Sequence, residues 1–194
     1  MNREGQVSVK LEGVPETLLW TLYHRATEAG RSDTVLRDPK AVELLARIDF
    51  PFEARFGPAS AARAQWQALR AACFDRQVVR FLSDRPDATV VALGEGLETQ
   101  FWRVDNGRVR WLTVDLPETI AVRRELLPEP PQWTWGIDAD ERRFIRGLEH
   151  VAALETLRLP RGRGPVFGYL VPVLGRLPRL REGLLSIMLA RLGG

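Results

Sequence analysis

The strongest chemical signal in the sequence is Leu93-Gly94-Glu95-Gly96, which closes the apolar, partly β-branched run Thr89-Val90-Val91-Ala92-Leu93. Glycine lets the backbone turn sharply and lets a ligand approach without a Cβ in the way. In open parallel sheets such turns lie at the carboxyl ends of strands, where ligands bind. The dinucleotide fingerprint would place a third glycine at position 99; the chain has Thr99 there, which argues against a pyrophosphate held on the helix terminus. Asp115 stands 19 residues after Gly96, at the end of the strand-like run Arg110–Asp115. A carboxylate there can accept from both hydroxyls of a ribose, or it can cap the next helix; the ribose reading leads. Arg70, in Leu69-Arg70-Ala71-Ala72-Cys73-Phe74-Asp75, could pair with a ligand carboxylate through two parallel hydrogen bonds, although a plain surface arginine is the simpler reading.

No catalytic residue is nominated. His24 and His150 are far apart and show no ligand spacing, and a lone histidine is usually structural. The single cysteine, Cys73, excludes a disulfide within the chain and a zinc site built on cysteine pairs, so no metal is expected.

These residues must be placed by ordinary elements. Leu18, Leu19, Leu22, Tyr23 and Ala26 fall at helical spacing within Val14–Glu28. Asp38-Pro39 suits a cap and first position for a helix whose apolar face is Ala41, Leu44, Leu45 and Ile48. Residues 49–60 read as loop and 61–83 as a longer helix. The period then changes. Residues 89–127 read as strand, glycine turn, helix, strand, helix, a βαβ unit with 89–93 as the fully buried central strand of a mostly parallel sheet. Pro128–Pro131 breaks the pattern. Residues 138–149 look helical, Leu154–Leu159 is the one clear strand candidate beyond that point, and prolines 172 and 178 divide an apolar tail from Val166 to Leu192, read as core and partner-contacting structure.

The chain of 194 residues suits one domain, with 45% hydrophobic and 27% charged residues, a globular balance. The basic residues are nearly all arginine, Lys10 and Lys40 being the only lysines, and the positive charge is spread rather than clustered. Nucleic acid is therefore not an expected partner. No stretch reaches the length of a spanning helix, and the first ten residues carry Arg3, Glu4 and Lys10 without an apolar run, so no leader is expected and the cytoplasm is the default.

Taken together, the motifs carry a resemblance. Val90–Arg103, VVALGEGLETQFWR, resembles the first motif of the leucine carboxyl methyltransferase family and its bacterial polyketide O-methyltransferase branch, with Gly94, Gly96, Glu98, Thr99, Trp102 and Arg103 at the family's positions. Val114-Asp115-Leu116-Pro117-Glu118 is similar to the second motif, and Arg123-Arg124 follows where the family has a basic residue. Arg70 and Asp75 fit an Arg-x-x-x-Phe/Tyr-Asp pattern, and Glu16-Thr17, Arg25-Ala26 and Asp38-Pro39 with Ala41 also look like the family. The match covers roughly residues 12–128.

The resemblance implies an α/β, Rossmann-like fold with a helical N-terminal region (1–83), a cofactor-binding βαβ core (84–127) and a shortened C-terminal part (128–194). It implies S-adenosylmethionine as cofactor, which has no phosphate and needs only the close turn. Gly94 and Gly96 would line its methionine part, Asp115 would hold the ribose, Leu116 would lie against the adenine and Arg70 would pair with the carboxylate. The implied reaction is O-methylation of a small-molecule carboxyl or hydroxyl group of polyketide type. A full family member would continue through further strands after Leu127, whereas here the chain passes through Pro128–Pro131 directly to Trp133. The sheet is therefore expected to be incomplete, with weak cofactor binding, slow turnover and pairing with a second copy. The alternative is a degenerate, non-catalytic relative acting through cofactor or protein binding. A nicotinamide oxidoreductase is disfavoured by Thr99.

Overall fold

The computed structural model describes residues 6–9, 16–127, 133–135, 151–174, 176 and 187–192. Helix α1 (Thr17–Ala29) buries Leu18, Leu19, Leu22 and Ala26 and packs against α2 (Pro39–Arg47) and α4 (Ala61–Asp84). Asp38 caps α2 as its sequence suggests: its Oδ1 accepts from Ala41 N at 3.0 Å, and Pro39 takes the first turn. A short parallel pair links β1 (Val7–Ser8) to β2 (Ile48–Asp49). The loop expected over 49–60 in fact contains β2 and a short helix, α3 (Phe52–Phe56). Phe50, Phe52 and Phe56 stack around Tyr23 of α1, with ring centroids 5.0–6.5 Å apart, so aromatic packing orders the segment despite its prolines.

The βαβ reading of 89–127 holds. Strand β3 (Thr89–Leu93) pairs in parallel with β4 (Arg110–Val114) across α5 (Gln100–Val104), and β4 pairs in parallel with β5 (Trp133–Trp135). Helix α6 (Pro117–Leu126) follows β4. Val90 and Ala92 of β3 and Trp111 and Thr113 of β4 point to one face, where the first two pack on a core that includes Leu97, Phe101, Trp111 and Leu126.

Two expectations need correction. The order of this sheet is β3-β4-β5, so β4 is its central strand and β3 an edge strand among the described residues. Nor is β3 buried on both faces: Val91 is 50% and Leu93 49% exposed, and both line a cleft that also borders α1 and α4. The C-terminal part also holds more strand than its sequence suggested. Strand β6 (Val151–Leu157) pairs antiparallel with β7 (Ile187–Leu192), in the apolar tail. Between them a short π-helix (Val166–Leu170) runs into α7 (Val171–Leu174). The helix expected over 138–149 and the break at 128–131 lie outside the described residues.

Candidate cofactor site

The Gly94–Thr99 turn follows β3, and its geometry needs glycine twice. Gly94 has φ +60 and Gly96 φ +55, the left-handed region that side chains rarely adopt. A Cβ on Gly96 would also lie 3.1 Å from the Leu18 Cβ, whereas one on Gly94 would meet nothing within 4 Å. The first glycine thus faces open space and the second lets the turn sit on α1.

That open space is a cleft of about 540 Å³ between the turn, α1 and α4. Thr17 and Thr21 of α1, Gln67, Arg70 and Phe74 of α4, and Gly94–Gly96 line it. Arg70 is exposed, lies 5.3 Å from the centre of the Phe74 ring, and has no ion-pair partner among the described residues. Asp115 meets the turn from β4: its Oδ2 accepts from Gly96 N at 2.6 Å and its Oδ1 from Leu116 N at 2.8 Å. The cap position of α6 is taken by Leu116, and the Asp115 carboxylate accepts from the glycine turn and from Leu116 N, not from the helix's first turn. Arg70, Gly94 and Gly96 share the cleft. Asp115 is joined to it through Gly96, and Leu116, 43% exposed, is not among the lining residues.

Beneath the turn lies a charge network that the sequence reading did not assemble, although it named Asp38 as a cap. Arg25 of α1 donates to Asp38 Oδ2 (3.0 Å), Glu98 Oε2 (3.0 Å) and the Leu97 carbonyl (2.9 Å). Arg103 of α5 makes a fork with Asp75 of α4, Nε to Oδ2 at 2.7 Å and Nη2 to Oδ1 at 3.0 Å. Its Nη1 faces Asp38 Oδ2 (2.6 Å), Glu98 Oε1 (2.9 Å) and Thr99 Oγ1 (2.8 Å). On the sheet side, Glu95 pairs with Arg123 and accepts from Thr113 and Trp111, while Arg123 donates to the Gly96 and Glu98 carbonyls. The carbonyls of Gly96, Leu97 and Glu98 are all held by buried guanidiniums, which leaves the turn little freedom.

The charges follow the packing. Burial raises the Glu98 pKa, but the Arg25 and Arg103 guanidiniums outweigh it and hold the carboxyl at about 2. Burial pushes the Glu95 carboxyl up and the Arg123 guanidinium down, each resisted by the other. His24 is fully buried, its Nδ1 3.1 Å from the Trp20 carbonyl, and burial lowers its pKa, so it is a neutral core residue outside the cleft. His150 lies outside the described residues. Among the described residues no group of His, Cys, Asp or Glu is arranged to hold a metal, and no helix is long and apolar enough to cross a membrane.

A glycine turn after a parallel strand, a carboxylate from the next strand tied to it, and an arginine without an ion-pair partner among the described residues thus border one open cleft of a mixed α/β protein. The comparisons narrow that class. The sequence model of leucine carboxyl methyltransferase matches residues 19–145. The chain is 39% identical over 128 residues to the tetracenomycin polyketide synthesis O-methyltransferase TcmP of Streptomyces glaucescens, a match covering 63% of this chain and 45% of that protein. It is 30% identical over 131 residues to the S-adenosyl-L-methionine-dependent methyltransferase dpfgK of Gibberella zeae, covering 63% and 44%. The chain belongs to the leucine carboxyl methyltransferase family, whose cofactor is S-adenosylmethionine. The matched region spans less than half the length of either relative.

Proposed function

We propose that this chain is an S-adenosylmethionine-dependent O-methyltransferase acting on a carboxyl or hydroxyl group of a small, polyketide-like molecule. The observation that carries the reading is the 2.6 Å hydrogen bond from Gly96 N to Asp115 beside a cleft that also holds Arg70. The residues fit the cofactor: the missing Cβ of Gly94 leaves room for close approach, and Arg70, without an ion-pair partner among the described residues, offers a cation to a carboxylate.

In this reading Arg70 holds the cofactor carboxylate, the Gly94 and Gly96 backbone lies against its methionine part, Asp115 accepts from the ribose hydroxyls, and exposed Leu116 lies against the adenine. The bound cofactor supplies a methyl group made electrophilic by a sulfonium. The protein's part is to orient the acceptor in line and to keep the turn fixed. A carboxylate acceptor is already ionised at neutral pH and needs no base, which agrees with a cleft whose described lining contains no histidine.

Residues 1–194 act as one unit in this reading, on an incomplete Rossmann-like sheet. That β3 pairs only with β4 among the described residues supports that view. A pocket open on that side binds its cofactor weakly and turns over slowly until a second copy covers the edge. Calorimetry with S-adenosylmethionine and NAD, side by side, tests the cofactor. Binding of the first alone is expected, and preference for NAD would overturn the reading. Methyl transfer to a panel of aromatic polyketide acids, with size followed by light scattering, tests the reaction: fast turnover by a monomer would show the sheet to be sufficient as it stands.

A further inference from the structure

We propose that Asp75 is a positioning residue which, through Arg103, fixes the span between Arg70 and the Gly94–Gly96 turn. The inference rests on the cofactor reading above. Asp75 does not line the cleft. Its carboxylate is engaged by both arms of the Arg103 fork, at 2.7 and 3.0 Å, and by Gln100 Nε2 at 3.0 Å. The remaining Arg103 nitrogen reaches Glu98 and Thr99, the last residues of the glycine turn, at 2.9 and 2.8 Å. One planar guanidinium, 7% exposed, therefore ties α4 to the turn.

Arg70 lies five residues before Asp75 on the same uninterrupted helix, about 7.5 Å along its axis. A shift of α4 moves both together. Among the described residues only the Phe74 ring steadies Arg70, so its place opposite the turn is set by where α4 sits. A bidentate arginine–carboxylate pair specifies register better than it adds stability: the fork tolerates little sliding, while burying the charges offsets much of their attraction. Because the same arginine also holds Asp38, the α2 cap, the span is fixed against a third element.

The test uses the full chain and the variants Asp75→Ala, Asp75→Asn, Arg70→Ala and Arg70→Ala/Asp75→Ala. S-adenosylmethionine binding is measured by calorimetry, and amide hydrogen exchange is measured without ligand. Asp75→Ala should weaken binding about ten-fold, the order expected when a ligand contact is misplaced by a fraction of an ångström. Asp75→Asn, which keeps one acceptor for the fork, should fall between it and the wild type. The double variant should bind no more weakly than Arg70→Ala alone, because the two residues act through one contact. Without ligand, Asp75→Ala should speed exchange in residues 94–99 as well as in α4. Wild-type affinity in an Asp75→Ala chain of lowered Tm would overturn the proposal, as would losses that multiply in the double variant. If Asp75→Ala does not fold, Asp75→Asn carries the same comparisons. If the wild type binds no S-adenosylmethionine, the cofactor reading fails. The exchange arm then decides the positioning claim by itself, and unchanged protection of 94–99 would overturn it.

Discussion

Asp115 stands at the join between structure and chemistry. Each of its oxygens accepts one backbone N–H and retains a further lone-pair direction for a ligand hydroxyl. Asp115→Ala should therefore weaken S-adenosylmethionine binding by about 1.5–3 kcal/mol, the scale of charge-assisted hydrogen bonds, and unchanged affinity in calorimetry would remove it from the site. Glu98 makes a separate prediction about pH. Its folded pKa of about 2 lies below the ordinary 4.5, so its contribution to stability is fully present above about pH 4.5 and is lost as pH falls toward 2. Urea unfolding of Glu98→Gln across pH 7 to 3 should show lower stability at neutral pH and a flatter acid limb than the wild type. A parallel offset at every pH would contradict this. At this scale the sequence marked the candidate residues of the turn and left the pairing of the charges beneath them unread. Gly94, Gly96 and Asp115 announce themselves because their spacing is local to one βαβ unit. The contacts of Arg25 with Glu98, of Asp38 with Thr99 and of Arg103 with Asp38 span 73, 61 and 65 residues, a distance over which residue type says nothing about pairing. The motif resemblance marked these residues without pairing them; one physical clue was placement, since Arg25 sits on the same helical stripe as Leu18 and Leu22, where a charge must find buried partners.

Among the elements, α2 and the Arg161–Gly168 segment are the most sharply determined. Asp38→Ala removes a cap, typically about 1 kcal/mol, and also strips a carboxylate from two buried guanidiniums, a loss of about 3–5 kcal/mol where a buried charge is left short of its partner. Denaturant midpoints should show the larger figure; a change confined to the smaller one would mean that Arg25 and Arg103 re-pair with Glu98 and Asp75. Gly162 is set by close approach rather than by its backbone angle. A Cβ there would come within 2.6 Å of Gln65 Oε1, 2.7 Å of Phe167 Cβ and 2.8 Å of Leu69 Cδ1. Gly162→Ala should therefore destabilise by about 1–3 kcal/mol through overpacking, visible as a lower Tm with unchanged S-adenosylmethionine affinity. The helices were legible because each carries its own signal, the apolar stripe of α1 or the Asp-Pro start of α2. The position of β3 in its sheet was not. A short apolar run looks the same at an edge as in the middle, and only pairing partners decide which it is.

For the molecule as a whole, the edge that β3 presents among the described residues predicts self-association. Thr89, Val91 and Leu93 direct their backbone groups away from β4, because Ala88 O and Gly94 N are the groups that bond across to it. Thr89→Lys places a charge on the exposed face beside that edge and outside the cleft, and light scattering should show less association at high concentration than in the wild type. Equal mass at all concentrations for both proteins would mean that the edge needs no cover. The clasp between the first long helix and the late segment has a different kind of consequence. Glu28 is fully buried, and Arg163, 135 residues further on, supplies both its guanidinium contacts, one of them at 2.9 Å. During synthesis at about 5–20 residues per second, the carboxylate on α1 waits roughly 7–27 s for its counter-ion to be translated. For that interval α1 either carries an uncompensated charge inward or stays loosely docked. A ribosome-bound chain stopped short of Arg163 should accordingly be cut by protease within α1, and one extended far enough for Arg163 to clear the exit tunnel should resist.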